Sequence, residues 1–287
     1  MNRCCWNLIF AFAGGTALGL TALLAGWFKG TEVTSDLTRG DRPSSQSLKS
    51  SSVLQGEALI GATLTSFDDQ GRSLTLKIDE VHPDPEDIDR EIYLYTVLYR
   101  GNDKQWYNLC QPDRDGVAQA IPLTGRWDET GAHIDDGSIT FACTNGALAK
   151  CVRWGYKPWE TVNGESLRTY HQACTRMVRA DYCGNGIGHT QDGTSIDVYD
   201  RLGIQLPVDD DGMTFEAAWD ADGAVFLNRT RFPAIAQLRE ECPEKLAQML
   251  YLQESDSLDP DSLDIDFLSS IPDALLFNDS FVQTGTF

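Results

Sequence analysis

Two histidines and two cysteines stand closest to one another among the residues able to do chemistry. His171 and Cys174 are three apart in a stretch with helical periodicity, so they share a face. A thiol beside an imidazole can become a nucleophilic thiolate. Adding Cys183 and His189 gives two nitrogen and two sulfur donors, the type of set that holds tetrahedral zinc. Asp181, Asp192 and Asp197 follow closely and can serve as general acid or base if the fold brings two together. Carboxylates on glycine turns recur at Asp113-Arg-Asp115-Gly116 and Asp220-Ala-Asp222-Gly223, a pattern that suits calcium and also suits plain β-turns. Trp154, Tyr156 and Trp159 crowd beside Pro158, either as a flat ligand platform or as cover for a core. None of these sets has a spacing specific enough to assign a catalytic centre. No cofactor is expected and no metal ligand set is assigned.

Six cysteines follow the N-terminal region: Cys110, Cys143, Cys151, Cys174, Cys183 and Cys242. An even number outside the cytoplasm reads as up to three disulfides, and sequence leaves the connectivity open. Short loops make Cys143–Cys151 and Cys174–Cys183 attractive, although closure entropy varies only slowly with loop length.

The compartment comes from the N-terminus. No charge interrupts residues 4–28, a span rich in Leu, Ala, Phe and Gly and long enough as a helix to cross a bilayer. Residues 1–29 are therefore read as a signal anchor or signal peptide, with the membrane as partner through residues 4–28. The body then lies in the cell envelope outside the cytoplasm, anchored or, if cleaved, periplasmic or secreted. The net charge of -20, from 43 acidic and 23 basic residues, excludes nucleic acid as a partner.

The elements that position the candidate residues follow from periodicity. Residues 30–53 are a polar linker. Residues 54–126 form a β-rich region, with strands at Ala58–Ile60, Leu74–Ile78 and Ile92–Tyr99 and a shorter one at Gln105–Leu109, and a further short strand is expected beyond it at Ser138–Phe141. Residues 127–252 form a second region. In it Leu167–Arg179 reads as an amphipathic helix with Leu167, Tyr170, Cys174 and Met177 on one side. A short helix is expected after Thr194 or Ser195, and a hairpin across Asp220–Gly223. Helix is predicted from Pro233 to Leu252, restarting at Pro243. Residues 253–287 are acidic and predicted disordered. The fold class is α+β, a β-rich N-terminal half packed with helices of the C-terminal half and stapled by disulfides.

Several strings occur in order: Cys143-Thr-Asn-Gly-Ala-Leu-Ala-Lys-Cys151, Trp154-Gly-Tyr-Lys-Pro-Trp159, His171-Gln-Ala-Cys174-Thr-Arg-Met177, Ala180-Asp181-Tyr182-Cys183 and His189-Thr-Gln-Asp-Gly-Thr. Together they resemble the ADYC-domain family of bacterial proteins. That resemblance implies export or envelope association and carries over no catalytic residue. The leading expectation is a non-enzymatic binding or structural module with an envelope polysaccharide or protein as partner. The competitors are an envelope hydrolase or transferase using His171 or His189 with Asp or Cys174, and a zinc- or calcium-stabilised domain.

Overall fold

A computed structural model describes residues 57–67, 73–191, 193–208, 212–255 and 271–282. The apolar span at 4–28 and the linker at 30–53 lie outside them. Among the described residues no helix is long and apolar enough to cross a membrane. The described chain falls into two compact units, residues 57–128 with 133–149, and residues 129–132 with 150–282.

The first unit is one antiparallel sheet. Its strands are β1 (Thr63–Phe67), β2 (Ser73–Pro83), β3 (Tyr93–Arg100), β4 (Trp106–Asn108), β5 (Ala120–Trp127) and β6 (His133–Cys143). The order is β1-β2-β3-β5-β6, with β4 paired to the end of β3. Side chains alternate across a strand, so Leu76 and Ile78 enter the core together. A bulge between Ile78 and Glu80 then shifts the phase and lets Val81 enter the same core. Tyr95 and Val97 of β3 complete that face, which explains why β3 is both β-branched and aromatic. Cys110 and Cys143 close a disulfide between the chain after β4 and the end of β6. The expected strand at Ala58–Ile60 is instead a 3-10 turn, Glu57–Leu59, too short to alternate.

The second unit holds β7 (Thr161–Val162), β8 (Glu165–Ser166), β9 (Ile196–Asp200), β10 (Thr214–Asp220), β11 (Gly223–Leu227) and β12 (Leu276–Ser280). Its helices are α1 (Ala147–Arg153, which begins at the end of the first unit), α2 (Leu167–Arg179), α3 (Ile235–Glu241) and α4 (Pro243–Ser255). The main sheet is antiparallel with order β11-β10-β12-β9. Helix α2 packs on β10 and β11, and α4 on β11. The α+β class is thus realised, and these helices lie on a sheet made by strands that follow α2.

Three local expectations change. The segment after Ser195 is strand β9, because Ile196, Val198 and Tyr199 meet a partner, β12, that is distant in sequence. The acidic tail is no uniform disordered end: β12 sits between β10 and β9 with Leu276, Asn278 and Ser280 fully buried. Residues 256–270 and 283–287 of that tail lie outside the described residues. The amphipathic reading of α2 holds on its apolar side only, since Gln172, Thr175 and Arg176 on the other side are also buried. Gln172 donates to the Gly131 carbonyl and Thr175 to the Gln172 carbonyl, which makes that burial affordable. The hairpin across Asp220–Gly223 and the helix restart at Pro243 are both present.

Candidate functional site

The turn after α2 gathers the polar groups of the second unit. Ser166 caps the start of α2, its hydroxyl accepting from the Arg168 amide. At the other end Ala180 takes the left-handed conformation, φ 51° and ψ 43°, and the Ala180 and Asp181 amides donate to the Met177 and Arg176 carbonyls. Glycine usually fills such a position because a Cβ is strained there. Ala180 is nonetheless fully buried, and its methyl contributes to the core. Ala180→Gly is expected to shift stability by no more than about 1 kcal/mol, relief of strain offsetting lost burial. Ala180→Val adds a β-branch to a strained backbone in a closed space and should lower the thermal midpoint by several degrees. Thermal unfolding of both variants checks the pair; equal midpoints would remove the left-handed cap from the explanation.

Asp181 is fully buried and organises the next turn. Its Oδ2 accepts from Arg176 Nη1 at 2.5 Å and from the Gly186 amide at 3.0 Å, and its Oδ1 from the Asn185 amide at 3.1 Å. Arg176 also donates to the Thr130 and Ala221 carbonyls. The chain must be glycine at 184, where a Cβ would lie 1.7 Å from the Asp222 carbonyl oxygen.

Tyr182 stacks on two rings, its centroid 5.2 Å from that of Trp219 and 6.0 Å from that of His189. Its hydroxyl donates to Glu216 Oε1 at 3.0 Å and accepts from the Arg231 amide at 2.8 Å. Burial, with the Glu216 charge beside it, pushes the phenol well above its ordinary value, so it remains a neutral donor. Glu216 and Arg231 form the centre of this network, and both are wholly buried. Arg231 Nε and Nη2 grip the two Glu216 oxygens at 3.0 Å each. Its remaining protons go to the Met177 carbonyl, the Val178 carbonyl and Thr190 Oγ1. All five guanidinium donors are thereby used. Ser280 adds a bond to Glu216 Oε2 at 2.5 Å. Burial alone would raise the Glu216 carboxyl, but the Arg231 charge and the bonds from Arg231, Ser280 and Tyr182 outweigh it and hold it below the usual value.

Cys183 is disulfide-bonded to Cys242, and Cys151 to Cys174. The favoured short loops, Cys143–Cys151 and Cys174–Cys183, are therefore not the ones closed. Geometry decided this: Cys174 lies inside α2 and faces α1, whereas Cys183 lies beyond the turn near the end of α3. Thiolate catalysis by Cys174 and zinc ligation by Cys174 and Cys183 are both overturned, because neither sulfur is free. Among the described residues no group of three or more His, Cys, Asp or Glu is placed to hold a metal. Asp220 accepts from the Asp222 amide, and Asp113 from the Asp115 and Val117 amides, which makes these loops hydrogen-bonded turns.

The other candidates are dispersed. His171 is buried on α2. His189 stacks on Tyr182, and its Nε2 lies 3.0 Å from Glu241. Asp197 accepts from the Val198 and Val208 amides beside the edge strand β9. Asp192 lies outside the described residues. Of the aromatic trio, Tyr156 is fully buried and its hydroxyl donates to Asp200, which also fixes the amides of Leu202, Ile204 and Gln205. Trp154 packs partly buried on the same core and Trp159 is half-buried. The trio is therefore no open platform. Sequence reasoning missed Glu216, Arg231 and Ser280. Its available signal was a lone carboxylate in the apolar run Phe215-Glu216-Ala217-Ala218-Trp219, which can be buried only with a cationic partner.

The ADYC domain family model matches residues 56–233, more than half of the chain. No curated protein and no solved structure matches. The match stops short of Cys242 and of β12, although both complete the folded second unit. With the motif residues forming the core of that unit and the match spanning both units, this chain belongs to the ADYC-domain family.

Proposed function

We propose that this protein is a disulfide-locked envelope module that works outside the cytoplasm, held or exported through residues 4–28, and that it binds or organises a partner. Three disulfides are compatible with an extracytoplasmic location, because thiols of cytosolic proteins are kept reduced. The observation that carries the reading is the saturation of the motif. Asp181 is spent on Arg176 and two loop amides, Tyr182 on Glu216 and Arg231, and Cys183 on Cys242. The named motif thus builds a rigid support, and function falls to the surfaces it supports.

Two measurements test this. Alkylation of the denatured, unreduced protein is expected to leave Cys110, Cys143, Cys151, Cys174, Cys183 and Cys242 unmodified, with labelling only after reductant. Six reactive thiols at those positions would sink the oxidised, extracytoplasmic reading. A reporter enzyme that is active only outside the cytoplasm, fused after Phe287, should be active; a silent fusion with normal expression counts against export.

A further inference from the structure

The most exposed tryptophan among the described residues is not in the aromatic trio. It is Trp106 on β4, 39% exposed. β4 extends the end of β3, pairing Trp106 with Arg100, and on the other side of β3 Lys77 lies opposite Leu98. Cross-strand partners share a face, so Trp106, Arg100 and Lys77 stand together. The Arg100 guanidinium lies over the indole at 5.8 Å from its centroid and Lys77 Nζ at 6.0 Å, which orients the ring while more than a third of the residue stays exposed. Thr96 lies on the same face of β3, roughly 13 Å from Arg100 along the strand. Its hydroxyl donates to Glu80 and accepts from Gln119. A flat ring at one end and a row of hydroxyl, amide and carboxylate groups at the other make one elongated, half-exposed strip.

Its charge selects the ligand. Lys77 is paired with Asp79 at 2.5 Å, and the strip otherwise carries one cation, Arg100, at one end and one anion, Glu80, at the other, so its charges sum to zero. The strip is locally neutral within a chain of net charge -20, which repels polyanions. We infer that this face of the first unit binds an uncharged, hydroxyl-rich glycan chain, one sugar ring stacking on Trp106 and its neighbours hydrogen-bonding along Arg100, Thr96, Glu80 and Gln119. Stacking needs an apolar ring face, and the fixed polar row suits a ligand with many donors and acceptors. The inference rests on the binding-module reading and names the partner class for it.

Titration of the full-length protein with N-acetyl-chito-oligosaccharides and cello-oligosaccharides, read by calorimetry, tests the strip. Binding of at least one series is expected, nearly independent of salt. Trp106→Ala should weaken it roughly tenfold and Trp106→Phe less, at unchanged thermal midpoint. Thr96→Val is expected to weaken binding several-fold without touching the ring. Failure of both series to bind the folded protein would overturn the inference, as would Trp106→Ala binding at wild-type affinity. Trp106-dependent binding to polyuronate or to anionic phospholipid vesicles in place of the neutral sugars would overturn it too. The thiol and export measurements do not depend on this surface, so the two failures are distinguishable.

Discussion

Replacing Arg231 by methionine is expected to cost the second unit about 3–5 kcal/mol, because it leaves Glu216 charged and buried without the cation that is hydrogen-bonded to it. The loss goes beyond one ion pair. Arg231 also donates to two carbonyls at the end of α2, that of Val178 and that of Met177, which the Ala180 amide reaches as well. Denaturant unfolding followed by tryptophan fluorescence would read the change, since Trp219 lies in this core. A midpoint equal to wild type would refute the central role of the pair. The double variant Arg231→Met with Glu216→Leu should recover part of the loss, because no buried charge remains. Recovery is expected to be incomplete, as Tyr182 and Ser280 then lose their acceptor.

The same pair sets an acid limit. Glu216 has a folded-state value below its ordinary 4.5, so the unfolded chain takes up its proton first as pH falls. Its contribution is fully present above pH 4.5 and is lost as pH falls from there through the depressed folded value. Stability measured across that window should decline, and Glu216→Gln should flatten the decline while lowering stability at neutral pH. An unchanged slope in that variant would assign the acid limit to other carboxylates.

Ending the chain at Ser270 is expected to abolish the folded second unit, although it removes only part of an acidic tail. β12 lies between β10 and β9, so its loss breaks hydrogen bonding on both sides. Leu276 and Phe277 are buried, worth about 3–6 kcal/mol together. Trp219 Nε1 would lose its bond to Asn278, and Glu216 its bond from Ser280. Such a protein should be insoluble or lose the near-ultraviolet signal of its packed aromatics. A chain ending at Val282 keeps all of β12 and should keep its thermal midpoint. A Ser270 truncation that melts like wild type would show that β12 is dispensable.

Local patterns announced much of this protein and misled where partners were remote. Helix α2 was legible because Leu167, Tyr170, Cys174 and Met177 repeat at helical spacing, and its end because glycines follow closely. Strand β3 was legible in its run of aromatic and β-branched residues, and the oxidised state in the even count of six cysteines from Cys110 to Cys242. The pairing Cys151–Cys174 and Cys183–Cys242 was not, because loop length discriminates weakly and the placement of α1, α2 and α3 decides which sulfurs meet. β9 and β12 read as helix and tail because their strand partners are remote in sequence, about 75 residues separating the two. Ala180-Asp181-Tyr182-Cys183 was visible as a motif that closes a helix before a glycine turn, but its partners were not. Only tertiary structure supplies Arg176, Glu216, Arg231 and Cys242 around it, and buried polar groups take their meaning from those partners.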